Sequence, residues 1–324
     1  MIAALLAAAL LSSAPDAVAV QTPVPPVTPP QATPSADQPT DLGDVTIEGR
    51  RLQDLTEDFV REVGQPARGR GLARWKDGLC IGAANLQAGT AQYIIDRVST
   101  VAQDLGLKPG APGCDPNVLI VATADGNSFT EQFVASRPRL FVVGSSGTDL
   151  GNAALARFKT TQRPVRWWNV SMPTDSDTGE RAVRMFGDGG GNIFTYAPTI
   201  NVRGVSRLST QIIDVTKRTF VIIDVSKTGP INLTQLADYI AMISLAQINP
   251  DADTSGYATV LNVFADPEHT TGLTEWDKAY LAGLYDAQRT RSNENSARYE
   301  IVNSIVRVHH RIAEAEDAAA ETDR

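Results

Sequence analysis

Histidine and cysteine are scarce in this chain. Its 324 residues hold three histidines, His269, His309 and His310, and two cysteines, Cys80 and Cys114. Two adjacent imidazoles near the C-terminus cannot replace ligands spaced four apart along a helix, which argues against the helix-borne histidine motif of a zinc peptidase. The sequence also lacks a Gly-x-Ser-x-Gly elbow and sets no histidine beside a candidate serine, so the usual nucleophilic hydrolase signature is missing. A nucleophilic cysteine lacks the same partner. Positive charge is short too: 29 Lys and Arg against 37 Asp and Glu give a net charge of -8 and a pI near 5.0. Sequence-independent nucleic-acid binding needs a cationic surplus facing phosphates, and no basic run interleaved with aromatics supplies one locally.

Long apolar runs are missing as well. Residues 2–11 are apolar but too few to span a bilayer, and Ala17-Val18-Ala19 supplies the small-x-small pattern that a signal peptidase cuts. Residues 1–19 are therefore expected to be a signal peptide, although no Lys or Arg precedes Arg50. The product is expected to be periplasmic or secreted, with no transmembrane segment in the mature chain. An oxidising compartment favours a Cys80–Cys114 disulfide, worth roughly 3 to 4 kcal/mol through the loop it closes; two buried free thiols are the alternative. Residues 20–43, rich in Pro, Thr, Gln and Ala, cannot bury enough surface to fold and read as a linker. The 42% hydrophobic content allows a full core over residues 44–285. Residues 286–324 read as a helical extension ending in a frayed Ala/Glu-rich tail.

Periodicity places the elements. Residues 44–49 alternate like a strand, and 52–63 keep Leu52, Leu55, Phe59 and Val63 on one helical face. Residues 75–84 read as a strand carrying Cys80, 91–105 as an amphipathic helix, 118–123 as a buried strand, 129–134 as a helix and 140–143 as a strand. Strand 165–171 carries Trp167-Trp168, which must point to opposite faces, either one in the core and one exposed or both partly buried. Residues 211–215 and 220–225 read as two strands joined by a polar turn, Thr216 to Thr219. From 233 to 248 the chain is apolar on nearly every helical side, so that helix must be buried; Asn232 or Thr234 caps it, and Asn249 and Pro250 stop it. Residues 258–264 look extended, and 273–285 form a helix capped by Thr274. The fold class is α/β in the α+β sense, a twisted mixed sheet with an N-terminal helix packed on it, a buried central helix and C-terminal helices.

Two short patterns suggest ion sites. Asp251, Asp253, Ser255 and Gly256 match the opening of an EF-hand calcium loop, but Asn262 stands where a bidentate Glu belongs, so an acidic helix-ending turn is the plainer reading and calcium the only cofactor alternative. The turn Arg68-Gly69-Arg70-Gly71 with Arg74 offers cations to an anion, without the strand and helix of a phosphate loop. Gly187 to Gly191 lacks the spacing of a nucleotide fingerprint, and catalytic carboxylate pairs cannot be assigned among 37 acidic residues.

The run Leu273-Thr274-Glu275-Trp276-Asp277, closing on Leu284-Tyr285, resembles the last helix of matrixin-type metzincins, in which Leu-Ser/Thr-x-x-Asp precedes an apolar face. In that family a helix bearing three zinc-binding histidines comes first, then a Met-turn, then this helix, and the order and spacing agree here. The resemblance implies a zincin-like core from about Arg74 to Tyr285. It sets Asp238, Met242 and Ile248 at the three histidine positions and Tyr239 at that of the glutamate base, a degenerate motif with Asp238 as its one metal-capable group. Secreted bacterial proteins that keep the architecture without the zinc motif are the implied relatives. The expected role is an inactive envelope module that binds an unknown protein, peptide or envelope component, or is structural; the alternative is a peptidase-like hydrolase with a non-standard metal or nucleophile.

Overall fold

The computed structural model describes residues 43–67, 69–76, 78–141, 150–182, 209–291 and 293–322. The expected signal peptide, the expected linker up to residue 42, Arg68, Gly144 to Gly147 and Gly187 to Gly191 lie outside the described residues. Among those described, the elements are α1 (Gly43–Val63), β1 (Ile81–Ala84), α2 (Ala88–Asp104), β2 (Val118–Thr123), α3 (Gly126–Ser136), α4 (Pro138–Phe141), α5 (Gly151–Thr160), β3 (Val165–Asp175), β4 (Ile212–Asp224), α6 (Leu233–Leu245), a 3-10 turn at Val260–Asn262, α7 (Glu275–Asp286) and α8 (Glu294–Thr322). The chain has the α+β class its periodicity indicates.

The sheet order is β1-β2-β4-β3. The first three strands are parallel, and β3 runs antiparallel along β4 at the edge. A parallel sheet is buried on both faces by the helices of its crossovers. Here Val118, Ile120, Val165, Trp167, Val221 and Ile223 meet α1, α2, α6, α7 and α8 on one side. Leu119, Trp168, Val170, Phe220 and Ile222 meet α3, α4 and α5 on the other. The tryptophan pair thus serves both layers. Trp167 Nε1 donates to the Ile248 carbonyl and Trp168 Nε1 to that of Phe141, each at 2.9 Å, and with 6% and 3% exposure neither ring is free to stack on a ligand.

The largest departure from the sequence reading is β4, one continuous strand of 13 residues where two strands and a turn were expected. The polar stretch is a bulge, not a turn: Val170 pairs with Arg218 but Ser171 with Thr216, so the register shifts at Lys217. Thr216 and Thr219 are buried and β-branched, and none of the four residues favours the positive φ of a tight hairpin.

Other elements differ from their expected bounds, each for a local reason. Residues 44–49 are helical, continuing the amphipathic helix that follows, because propagation adds a hydrogen bond for each residue fixed. That helix buries Thr56, Phe59, Val60 and Val63, while Leu55 is 46% exposed. Of the strand expected over 75–84 only Ile81–Ala84 forms; Trp75 turns away to donate from Nε1 to the Ser244 carbonyl at 2.8 Å. Residues 138–141 are helical, with Phe141 buried, where a strand was expected over 140–143. The segment around Val260 is a 3-10 turn because Asp277 accepts its amide at 2.7 Å. α6 stops at Leu245, since 246–249 pair instead with the end of α1: Gln65 N donates to Gln247 O at 3.1 Å, and Asn249 N to Val63 O at 2.6 Å. α8 runs on to Thr322 and sinks Ile301, Val302, Ile305 and Val308 into the main core.

Cys80 and Cys114 are disulfide-bonded, with Cα atoms 6.0 Å apart. The bond fastens the entry of β1 to the segment before β2. The Cys80→Ser, Cys114→Ser chain is expected to lose about 3 kcal/mol of unfolding free energy, read from urea denaturation under non-reducing conditions. An unchanged midpoint would refute this.

Candidate functional site

The sequence directs attention to α6 and the loop leading into α7. Asn232 and Gln235 form a reciprocal capping box at the start of α6, with bonds of 2.9 and 2.8 Å. Gln235 Nε2 also donates to the carbonyls of Pro267 and Thr270, both at 2.7 Å, tying the loop down over the helix.

One turn later comes Asp238, 2% exposed. Its Oδ1 is ion-paired with Arg97 on α2, and its Oδ2 accepts from the Leu273 amide at 2.8 Å. The carboxylate in turn raises the pKa of Arg97 by hydrogen bond. A Cβ on Gly272 would collide with Asp238 Oδ2, so a glycine is needed for this close approach. Tyr239 is a core ring, edge-on to Trp167 at 6.0 Å and Phe264 at 5.0 Å, and burial pushes its hydroxyl pKa well up. Met242 is fully buried. Ile248 lies beyond the helix, in a bridge to Gly64. These four residues do not fit a catalytic zinc: one carboxylate is held by a guanidinium and an amide, and the rest are packed in the core.

Asp277 explains the Leu-Thr-x-x-Asp run in physical terms. It closes a capping box with Thr274 at the start of α7. It also accepts from Thr259 Oγ1 at 2.5 Å and Val260 N at 2.7 Å. Burial pushes its pKa up, opposed by the bonds from Thr259, Thr274 and Val260. It is a structural carboxylate, as Asp238 is.

The acidic turn after α6 is bound to its surroundings. Asp251 is ion-paired with Arg163 and with Arg157, the latter at 3.3 Å. Asp253 Oδ1 accepts from Ser255 Oγ at 2.6 Å and Ser255 N at 3.1 Å, bonds that lower its pKa. Asn262 Nδ2 donates to the carbonyls of Thr254 and Tyr257 at 2.9 and 2.8 Å. Asp251 and Asp253 thus already have protein partners. Among the described residues no group of three or more His, Cys, Asp or Glu side chains is placed to hold a metal.

At the C-terminal ends of the parallel strands, where α/β sheets usually take their ligands, Asp224 has no exposure. Burial works against its charge, but Lys227, Ser226 and the Gly126 amide together hold its pKa down at about 2. Those partners occupy the carboxylate.

What sequence reasoning half located is the arginine turn. Arg70 and Arg74 line a groove of about 270 Å³ with Asp214, Arg289 and Arg291, residues more than a hundred positions away whose meeting nothing in the sequence signals. No helix among the described residues is long and apolar enough to cross a membrane. Compared with protein-family models, with curated proteins and with solved structures, the chain matches none of them.

Proposed function

We propose that this is an exported envelope protein, periplasmic or secreted, whose zincin-like domain has no peptidase chemistry and acts as a binding or structural module for a protein, peptide or envelope component. The observation that carries this reading is the fate of Asp238, a carboxylate at the family's metal position that is fully engaged by Arg97 and the Leu273 amide. A strand, helix, strand order in the first half supports the zincin-like architecture, as does a buried helix followed by a capped loop and a second helix. The disulfide supports export, since such bonds persist in oxidising compartments.

Purified full-length protein, analysed by plasma mass spectrometry and assayed on a mixed peptide library with and without chelator, should carry no stoichiometric transition metal and show no chelator-sensitive cleavage. Fractionation of the producing cells should recover a chain starting near Val20 outside the cytoplasm. Stoichiometric metal with chelator-sensitive hydrolysis would replace this reading with that of a hydrolase using an unusual site. Retention of an uncut chain in the cytoplasm would remove the envelope role.

A further inference from the structure

The groove between the 69–74 turn, the start of β4 and the 288–297 segment is lined by Arg70, Arg74, Arg289 and Arg291, with Asp214 and Glu294 as the lining carboxylates among the described residues. These carboxylates already have partners. Asp214 is ion-paired with Arg70 and also accepts the Gly71 amide at 2.9 Å. Glu294 lies 3.9 Å from Arg298, and Arg291 pairs at 2.8 Å with Glu300.

Arg74 is the unusual member. It is 4% exposed. Its Nη1 donates to the Ala287 carbonyl at 2.6 Å, and its Nε is buried with no hydrogen-bond partner among the described residues. The carbonyl at the end of α7 supplies only a partial negative charge. A second cation stands beside it, since Arg289 Nη2 donates to the Arg74 carbonyl at 3.2 Å and to the Asp214 carbonyl at 2.8 Å. Burial first, and then the Arg289 charge, lower the pKa of Arg74 to about 9. Among the described residues no carboxylate is ion-paired with Arg74, and Glu300, which acts on its charge from farther off, is paired with Arg291; burying a guanidinium in this way is costly, and a bound anion would offset the cost.

We propose that this groove is an oxyanion site, in which the Arg74, Arg289 and Arg291 guanidiniums take the carboxylate or phosphate group of a small ligand. Planar guanidiniums bind both groups with paired N–H donors. A volume of about 270 Å³ falls at the small end of ligand pockets and suits a compact anion better than a long peptide. The site is built from the 69–74 turn, the β3–β4 ribbon, the segment after α7 and the start of α8, and it uses none of Asp238, Tyr239, Met242 and Ile248.

The test is calorimetric titration of the full-length oxidised protein with inorganic phosphate and, separately, with citrate, against chloride at matched ionic strength. One saturable site is expected, with a Kd below about 1 mM, a modest affinity in free-energy terms. Arg291→Gln, at the half-exposed rim, should weaken binding at least about fivefold while keeping the wild-type unfolding midpoint. Arg74→Met should abolish binding, and if that chain does not fold, the rim variant decides alone. Arg311→Gln, exposed on α8, should change nothing. Phosphate binding alone identifies a phosphoryl ligand, citrate alone a carboxylate, and both a general oxyanion site. Absence of saturable binding for either anion, or binding unaltered in Arg291→Gln, overturns the proposal.

Discussion

Gly283→Leu should cost more than the roughly 1 to 3 kcal/mol usual for overpacking a core, and should release α8 from α7. A Cβ at this position would stand 2.5 Å from the backbone nitrogen of Ile305 and 2.6 Å from its Cγ1. A rotamer change relieves the second contact. The first yields only if the two helix backbones separate, which takes Ile301, Val302, Ile305 and Val308 out of the core. Urea unfolding followed by circular dichroism should show a sharply lowered midpoint, and limited proteolysis should cut α8 early. A variant with the wild-type midpoint would mean that α8 adds little to the fold.

Arg97→Met is expected to destabilise the chain by about 3 to 5 kcal/mol, the usual result of stripping the partner from a buried ion. The asymmetry of the pair is the reason. The Asp238 side chain is 4% exposed and that of Arg97 34%, so the arginine could reach water alone but the carboxylate could not. Asp238→Asn should cost less, because the amide oxygen still accepts from Leu273 and no charge is left buried. The double change Arg97→Met with Asp238→Leu should recover part of the single-variant loss. If the double variant loses as much as the sum of the two single changes, the pair is not coupled and the account of Asp238 as a structural ion fails.

Much of α6 and α7 was legible in the sequence. Asn232 and Thr274 cap them where an oxygen-bearing side chain precedes an apolar period, and the near-uniform apolar character of α6 requires burial. Cys80 and Cys114 pair, as expected. Less legible was where these elements end, because ends depend on what the backbone meets. α6 stops short of Ile248 since Val63 and Gln65 take up the amides and carbonyls that follow, and the polar stretch from Thr216 to Thr219 is a bulge because β3 supplies a partner across it.

Candidate sites divide in the same way. The sequence by itself determined which donors α6 can offer and that His269, His309 and His310 lack the helical spacing of a zinc-binding set, since composition and spacing are properties of the chain alone. Only the tertiary structure decided that Asp238 belongs to Arg97, 141 residues away, and that Arg70 and Asp214, 144 apart, meet beside Arg74, Arg289 and Arg291. The physical reason is one of range: caps and periodicity act over three or four residues, whereas a buried charge takes whichever counterion the packed sheet and helices bring within reach.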